Sequence, residues 1–159
     1  MYKQELDRFP VRKNPRMKSI DYSAVNYYFI TICTWNKMCI FGKAGQPNEL
    51  GKIAEQGLQN ISDHFSGVRM DKYIVMPNHV HGIIAVERQG VNLAAVIGQY
   101  KSFVSREIHR IYPQLRVWQT SFHDHVIRNQ KEYQQIWRYI DANVSNWGND
   151  CFYISAEEK

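Results

Sequence analysis

Cysteine is scarce: three residues in 159, an odd number, and Cys33, Cys39 and Cys151 form no C-x-x-C pair. That excludes a disulfide framework and argues against a structural zinc knuckle, so the thiols read as reduced and buried. No run of roughly 18 apolar residues occurs, and none of signal-peptide length opens the sequence. The expectation is a cytoplasmic protein with no membrane span. Nor is a second domain needed, since a chain of this length buries a core without staples.

Hydrophobic residues at 44% and charged ones at 22% are globular values, and ten Tyr with four Trp leave aromatics for a surface role that composition does not define. The net charge of +5 is modest but clustered. Lys3, Arg8, Arg12, Lys13, Arg16 and Lys18 face only Glu5 and Asp7 across the first eighteen residues, which also hold Pro10 and Pro15. This predicts an irregular basic arm over 1–20 suited to a polyanion, a single domain over 21–150 and a short tail over 151–159.

The stretch from Tyr27 to Trp35 joins β-branched and aromatic residues and predicts a strand apolar on both faces, the mark of an inner strand. Gly42, Gly45 and Pro47 mark a loop. Leu50, Ile53, Ala54, Leu58, Ile61 and Phe65 recur at helical spacing despite Gly51 and Gly57. A strand over 68–76 is broken by Pro77-Asn78, and another starts at His79; so short an interval predicts an antiparallel turn. Asn92 predicts the cap of a helix over 93–111, and the segment 117–123 predicts a fourth strand. Asn129 with Glu132 forms a capping-box pattern for a last helix with inward stripe Tyr133, Ile136, Trp137, Ile140, Val144 and Trp147, stopped by Gly148. The order gives an α+β, ferredoxin-like split βαβ fold: a four-stranded antiparallel sheet, two helices on one face, and an added C-terminal helix carrying Tyr139.

His79 and His81 stand two apart at the start of an apolar run. On a strand they share one face and can present two imidazoles to one ion, although His-x-His is also an ordinary hydrogen-bonded strand end. Tyr139 and Asn143, four apart on the last helix, share a face beside its core stripe. One helix can thus bring an amide oxygen to the ion and a phenol over it. A phenolate is both a good nucleophile and a displaceable leaving group, and with a free pKa of about 10 it needs help from a cation or base. Spacing alone does not separate this reading from a structural tyrosine among ten.

Several segments occur together and in order: Tyr22-Ser23, Tyr28-Phe29-Ile30-Thr31-Ile32-Cys33-Thr34, Met76-Pro77-Asn78-His79-Val80-His81-Gly82-Ile83, the run from Trp118 to Asn129, and Tyr139-Ile140-Asp141-Ala142-Asn143. In these the chain resembles the single-tyrosine HUH transposases, most closely the REP-associated tyrosine transposases of bacteria. The resemblance implies a nuclease that cuts single-stranded DNA beside a palindromic hairpin and keeps one end on tyrosine. It implies His79 and His81 as ligands of Mg²⁺ or Mn²⁺, Tyr139 as nucleophile, and Asn143 where insertion-sequence relatives carry Gln, with a water completing the shorter reach. Association with chromosomal DNA follows, and a homodimer, with the tyrosine from either subunit, stays open.

His123-Asp124-His125 is a second His-x-His that competes as the metal pair or, through His125 or Asp124, contacts the ion, DNA or the tyrosine helix. Gln119, Arg128, the arm residues Arg12, Lys13, Arg16 and Lys18, and Lys101, Arg106 and Arg110 off the helix stripe are candidate DNA contacts. Two other functions remain open: a non-catalytic hairpin-binding module, and a metal-dependent nuclease that uses water.

Overall fold

The computed structural model describes residues 25–149; the basic arm with Arg12, Lys13, Arg16 and Lys18, and the tail with Cys151, lie outside the described residues. β1 (Asn26–Cys33) is the inner strand its two-sided apolar pattern predicts, with β3 (His79–Val86) on one side and β4 (His123–Ile127) on the other. β2 (Val68–Met76) forms the edge beyond β3, so the sheet runs β2-β3-β1-β4 with every neighbouring pair antiparallel. Pro77 and Asn78 make the turn between β2 and β3, leaving Met76 opposite His79.

α1 (Glu49–His64) and α2 (Leu93–His109) cover one face, packing Leu58, Ile61, Ile97 and Val104 against Ile30, Ile32, Val80 and Ile84. Their N-termini are capped by Asn48, which accepts from Gly51 N at 2.9 Å, and by Asn92, which accepts from Ala95 N at 3.4 Å. The two glycines of α1 have a packing reason. A Cβ on Gly51 would lie 2.4 Å from the Phe41 carbonyl oxygen, and one on Gly57 would lie 2.8 Å from the Tyr100 ring. Close approach outweighs the lost helix propensity.

α3 (Gln130–Asp141) crosses the other face of the sheet, where Ile136, Tyr139 and Ile140 join Phe29, Ile83 and Ile127 in a smaller core. Burying an isoleucine such as Ile136 or Ile140 contributes about 2 kcal/mol. Polar ties fix the helix further. Tyr133 donates its hydroxyl to Asp71 Oδ2 at 2.9 Å, and Lys72 pairs with Asp141. Asp71 falls where the β2 register slips between Met70 and Lys72, so the bulge aims its carboxylate at α3.

Two local expectations are corrected. Residues 117–123 are not a strand: Thr34 and Trp118 form one isolated bridge, and β4 begins only at His123. Trp118 is buried by packing on Phe41 and Tyr100 and by donating Nε1 to the Lys101 carbonyl, so tertiary contacts, not a ladder, absorb its β-like pattern. The last helix ends at Asp141 instead of continuing to Gly148, and Val144, expected inward, is 39% exposed. Among the described residues no helix is long and apolar enough to cross a membrane.

Candidate active site

Strand register decides which side chains meet. His79 lies opposite Cys33 and His81 opposite Thr31, and both imidazoles point to the face that α3 covers. Their ring centroids are 4.5 Å apart and both residues are fully buried. Each ring is anchored through Nδ1. His79 bonds Asn78 Oδ1 at 2.8 Å, and His81 bonds Thr31 Oγ1 at 2.8 Å. The Asn78 amide is itself oriented, because its Nδ2 donates to the Lys37 carbonyl at 3.2 Å. Its Oδ1 therefore accepts from His79 Nδ1–H, and the tautomer that results carries its lone pair on Nε2.

Asn143 sits two residues beyond the end of α3 and is fully buried. Its Nδ2 donates to the Tyr139 carbonyl at 2.8 Å, which turns Oδ1 the other way; that oxygen is buried and accepts no hydrogen bond among the described residues. The side chain lies close enough to His79 to favour that ring's protonated form. Two lone-pair atoms, His79 Nε2 and Asn143 Oδ1, thus meet in a buried site, an arrangement that a cation stabilises.

Burial keeps both imidazoles neutral. Desolvation first, then the neighbouring His81, hold the His79 pKa well below its usual value, with Asn143 opposing. Desolvation lowers His81 to about 3, opposed by the Ile30 backbone carbonyl, which accepts a hydrogen bond from the ring. In the unfolded chain both titrate at about 6.5. Stability is therefore full above pH 6.5 and declines as pH falls toward about 3, since in that window the unfolded chain takes up protons that the folded chain refuses. With chelator present, thermal unfolding between pH 7 and pH 4 should fall less steeply for His81→Gln than for the parent; parallel curves would contradict the assignment.

Tyr139 packs its ring 5.5 Å from that of His81 and 5.9 Å from that of Phe29, with the hydroxyl buried. The tyrosine is therefore not beside the core stripe, as its spacing predicts, but within the buried face. The helix is rotated so that Ile136, Tyr139 and Ile140 face the sheet, with Asn143 continuing the same side one turn on. Trp147, after the helix, has its ring 6.1 Å from His79.

Other sequence candidates fall in different places. His125 faces the same side as the imidazoles but stands opposite Phe29 on the far strand, two strand spacings from β3, or roughly 10 Å. Its Nε2 pairs with Glu132, which is why the capping box is half made: Asn129 accepts from Glu132 N at 2.8 Å while the glutamate serves His125 instead of the cap. Asp124, opposite Ile30, points to the α1–α2 face, so it does not join the centre. His123 is exposed.

Gln119 is half-buried at the end of β1, donating its backbone N–H to the Cys33 carbonyl at 3.0 Å. Lys101 is not a solvated cation: burial lowers its pKa, and Nζ donates to the carbonyls of Gln119 at 2.6 Å and Ser121 at 3.5 Å. Arg106 is exposed on α2 and Arg110 just past its end, across the sheet from the imidazoles, and Arg128 is exposed between β4 and α3. Among the described residues no three His, Cys, Asp or Glu side chains converge. Asn78 and Thr31 hold the two rings, roles that the spacing of the histidines does not reveal. Asn78 had a signal in its place next to His79; the role of Thr31 follows only from register.

Residues 21–143 match the family model described as transposase, IS200-like. An uncharacterized protein of Haemophilus influenzae is 32% identical over 168 aligned positions, covering 90% of this chain and 93% of the relative. Among solved structures, the REP-associated tyrosine transposase bound to a REP hairpin aligns with a TM-score of 0.65 at 17% identity, over 86% of this chain and 75% of the other. A candidate transposase from Deinococcus radiodurans aligns with a TM-score of 0.56 at 17% identity, over 79% of this chain and 96% of its own. Both likenesses bear on the fold.

Proposed function

Because the chain belongs to the IS200-like transposase family, we propose that it cuts and rejoins single-stranded DNA beside a hairpin, with Tyr139 as the nucleophile. The observation that carries this is the meeting on one buried face of the Tyr139 ring, the paired imidazoles and the Asn143 amide. His79 Nε2, His81 Nε2 and Asn143 Oδ1 fit a divalent ion, which would supply Lewis-acid activation of a phosphate oxygen and neutralise developing charge. All three donors are uncharged, so the site keeps its positive field toward phosphate. Two imidazoles favour Mn²⁺ over the harder Mg²⁺.

The phenol oxygen of Tyr139 attacks phosphorus as its proton leaves, forming a 5′-phosphotyrosyl bond. The P–O3′ bond breaks, and the released oxygen takes up a proton as a 3′-hydroxyl. Attack by a second 3′-hydroxyl on the phosphotyrosine reverses the exchange and rejoins DNA. One phosphodiester replaces another, so no nucleotide energy source is required. Since the Tyr139 hydroxyl is buried, the scissile phosphate reaches it only when the helix or the residues after it shift. The ties to shift are Tyr133–Asp71, Lys72–Asp141 and His125–Glu132.

The test is incubation with a labelled single-stranded hairpin bearing flanking tails, with Mn²⁺ or Mg²⁺. A protein–DNA band that survives denaturant is expected; metal-dependent cleavage without such a band would favour attack by water, and binding alone a non-catalytic module. A second expected result concerns Asn78. Asn78→Ala removes the acceptor of His79 Nδ1–H, and Mn²⁺ affinity measured by calorimetry should fall about tenfold or more. Unchanged affinity would remove Asn78 from the site.

A further inference from the structure

Beyond the end of β1 lies a wide-open cavity of about 670 Å³, part polar and part apolar, lined by Trp35, Asn36, Lys37, Gln119, Thr120 and Ser121. A nucleobase offers a flat π face and a hydrogen-bonding edge, and this lining matches both: an indole for the face, and amides and hydroxyls for the edge. Charge matches as well. Lys37 is exposed, Arg116 stacks its guanidinium 3.5 Å from the Trp35 ring centroid, and among the described residues no carboxylate lines the cavity. Arg116 is not part of the lining, so it braces the indole without filling the space.

Both walls are built into the fold. Asn36 and Lys37 take left-handed φ values of 52° and 54°, a conformation side chains rarely adopt, and the bend delivers the Lys37 carbonyl to Asn78 Nδ2. Asn78 in turn holds His79, so the cavity wall and the imidazole site share one hydrogen-bonded frame. The other wall is pinned by Lys101 from α2 and by the bond from Gln119 N to the Cys33 carbonyl. Cys33 is the residue opposite His79, and Trp35 follows two positions later, roughly 7 Å of extended chain. That is within the span of a nucleotide or two.

We propose that this cavity receives one base of the single strand adjoining the scissile phosphate, stacked on Trp35 with its edge toward Asn36, Gln119 and Ser121. The inference rests on the reading that this chain takes single-stranded DNA at the imidazole face. Lys37, which lines the cavity, meets the phosphate beside the stacked base, while Arg116 holds the indole from outside. Strand and scissile bond are thereby set in register before chemistry begins.

Binding by fluorescence anisotropy tests this in a Tyr139→Phe background with chelator, where no cleavage intervenes. Trp35→Ala should weaken binding of a hairpin with single-stranded tails about tenfold and leave a blunt hairpin within about twofold, while Trp35→Phe retains a stacking ring and recovers most of the loss. Equal losses on both DNAs, or no loss on the tailed one, would overturn the proposal. As a check free of mutation at Trp35, 2-aminopurine placed at successive tail positions should be quenched at one position; uniform fluorescence along the tail would also overturn it. If the unmutated cavity shows no preference for tailed over blunt hairpins, the single-strand reading fails and takes this inference with it.

Discussion

Tyr139→Phe should lower the yield of covalent protein–DNA adduct by roughly a thousandfold or more while hairpin affinity stays within about twofold. The change removes only the attacking oxygen and keeps the ring contacts with His81 and Phe29, so packing of α3 survives. The informative companion is Tyr133→Phe. Tyr133 lies on the same helix, but its hydroxyl is donated to Asp71, and desolvation together with that bond pushes its pKa up to about 12. A phenol held so firmly protonated is a poor nucleophile. Tyr133→Phe should therefore retain the adduct, at a stability loss of about 1 kcal/mol for the missing hydrogen bond. An adduct that persists in Tyr139→Phe and disappears in Tyr133→Phe would reverse the two assignments.

His79→Ala or His81→Ala should cut metal-dependent cleavage by roughly a hundredfold or more, with a far smaller effect on hairpin affinity. Both residues are fully buried, so an alanine also leaves a cavity and a general loss of stability. His79→Gln and His81→Gln, which fill most of the space, separate the two effects. Titrating Mn²⁺ against cleavage rate should give a right-shifted or flat curve for each variant that still unfolds cooperatively. A folded variant with the parent's cation response would place the ion elsewhere.

Much of this arrangement was legible in the sequence, and the exceptions share a cause. The two-sided apolar pattern of β1 predicts its inner position, and Pro77-Asn78 predicts the turn that starts β3 with His79 and His81 on one face. Period two is a local property of the strand and needs no tertiary knowledge. The fourth strand was displaced because Trp118 looks like a strand residue but is buried by Phe41 and Tyr100. On the strand that does form, Asp124 faces the other side from His123 and His125. The helix stripe was misplaced for a similar reason: periodicity identifies an amphipathic helix, but its rotation is set by what it covers. Here that includes an imidazole pair which accepts Tyr139 and Asn143 into the buried face. Lys101, read from spacing as a surface cation, reaches across to two loop carbonyls that no helical wheel displays.

The most direct measurement is peptide mass spectrometry of the denaturant-resistant adduct after the DNA has been digested to a single nucleotide. The account predicts that the residual nucleotide is linked through its 5′-phosphate to Tyr139 and to no other residue. A nucleotide mapped to Tyr133 or to any other side chain, or hairpin cleavage that leaves no modified peptide, would contradict it.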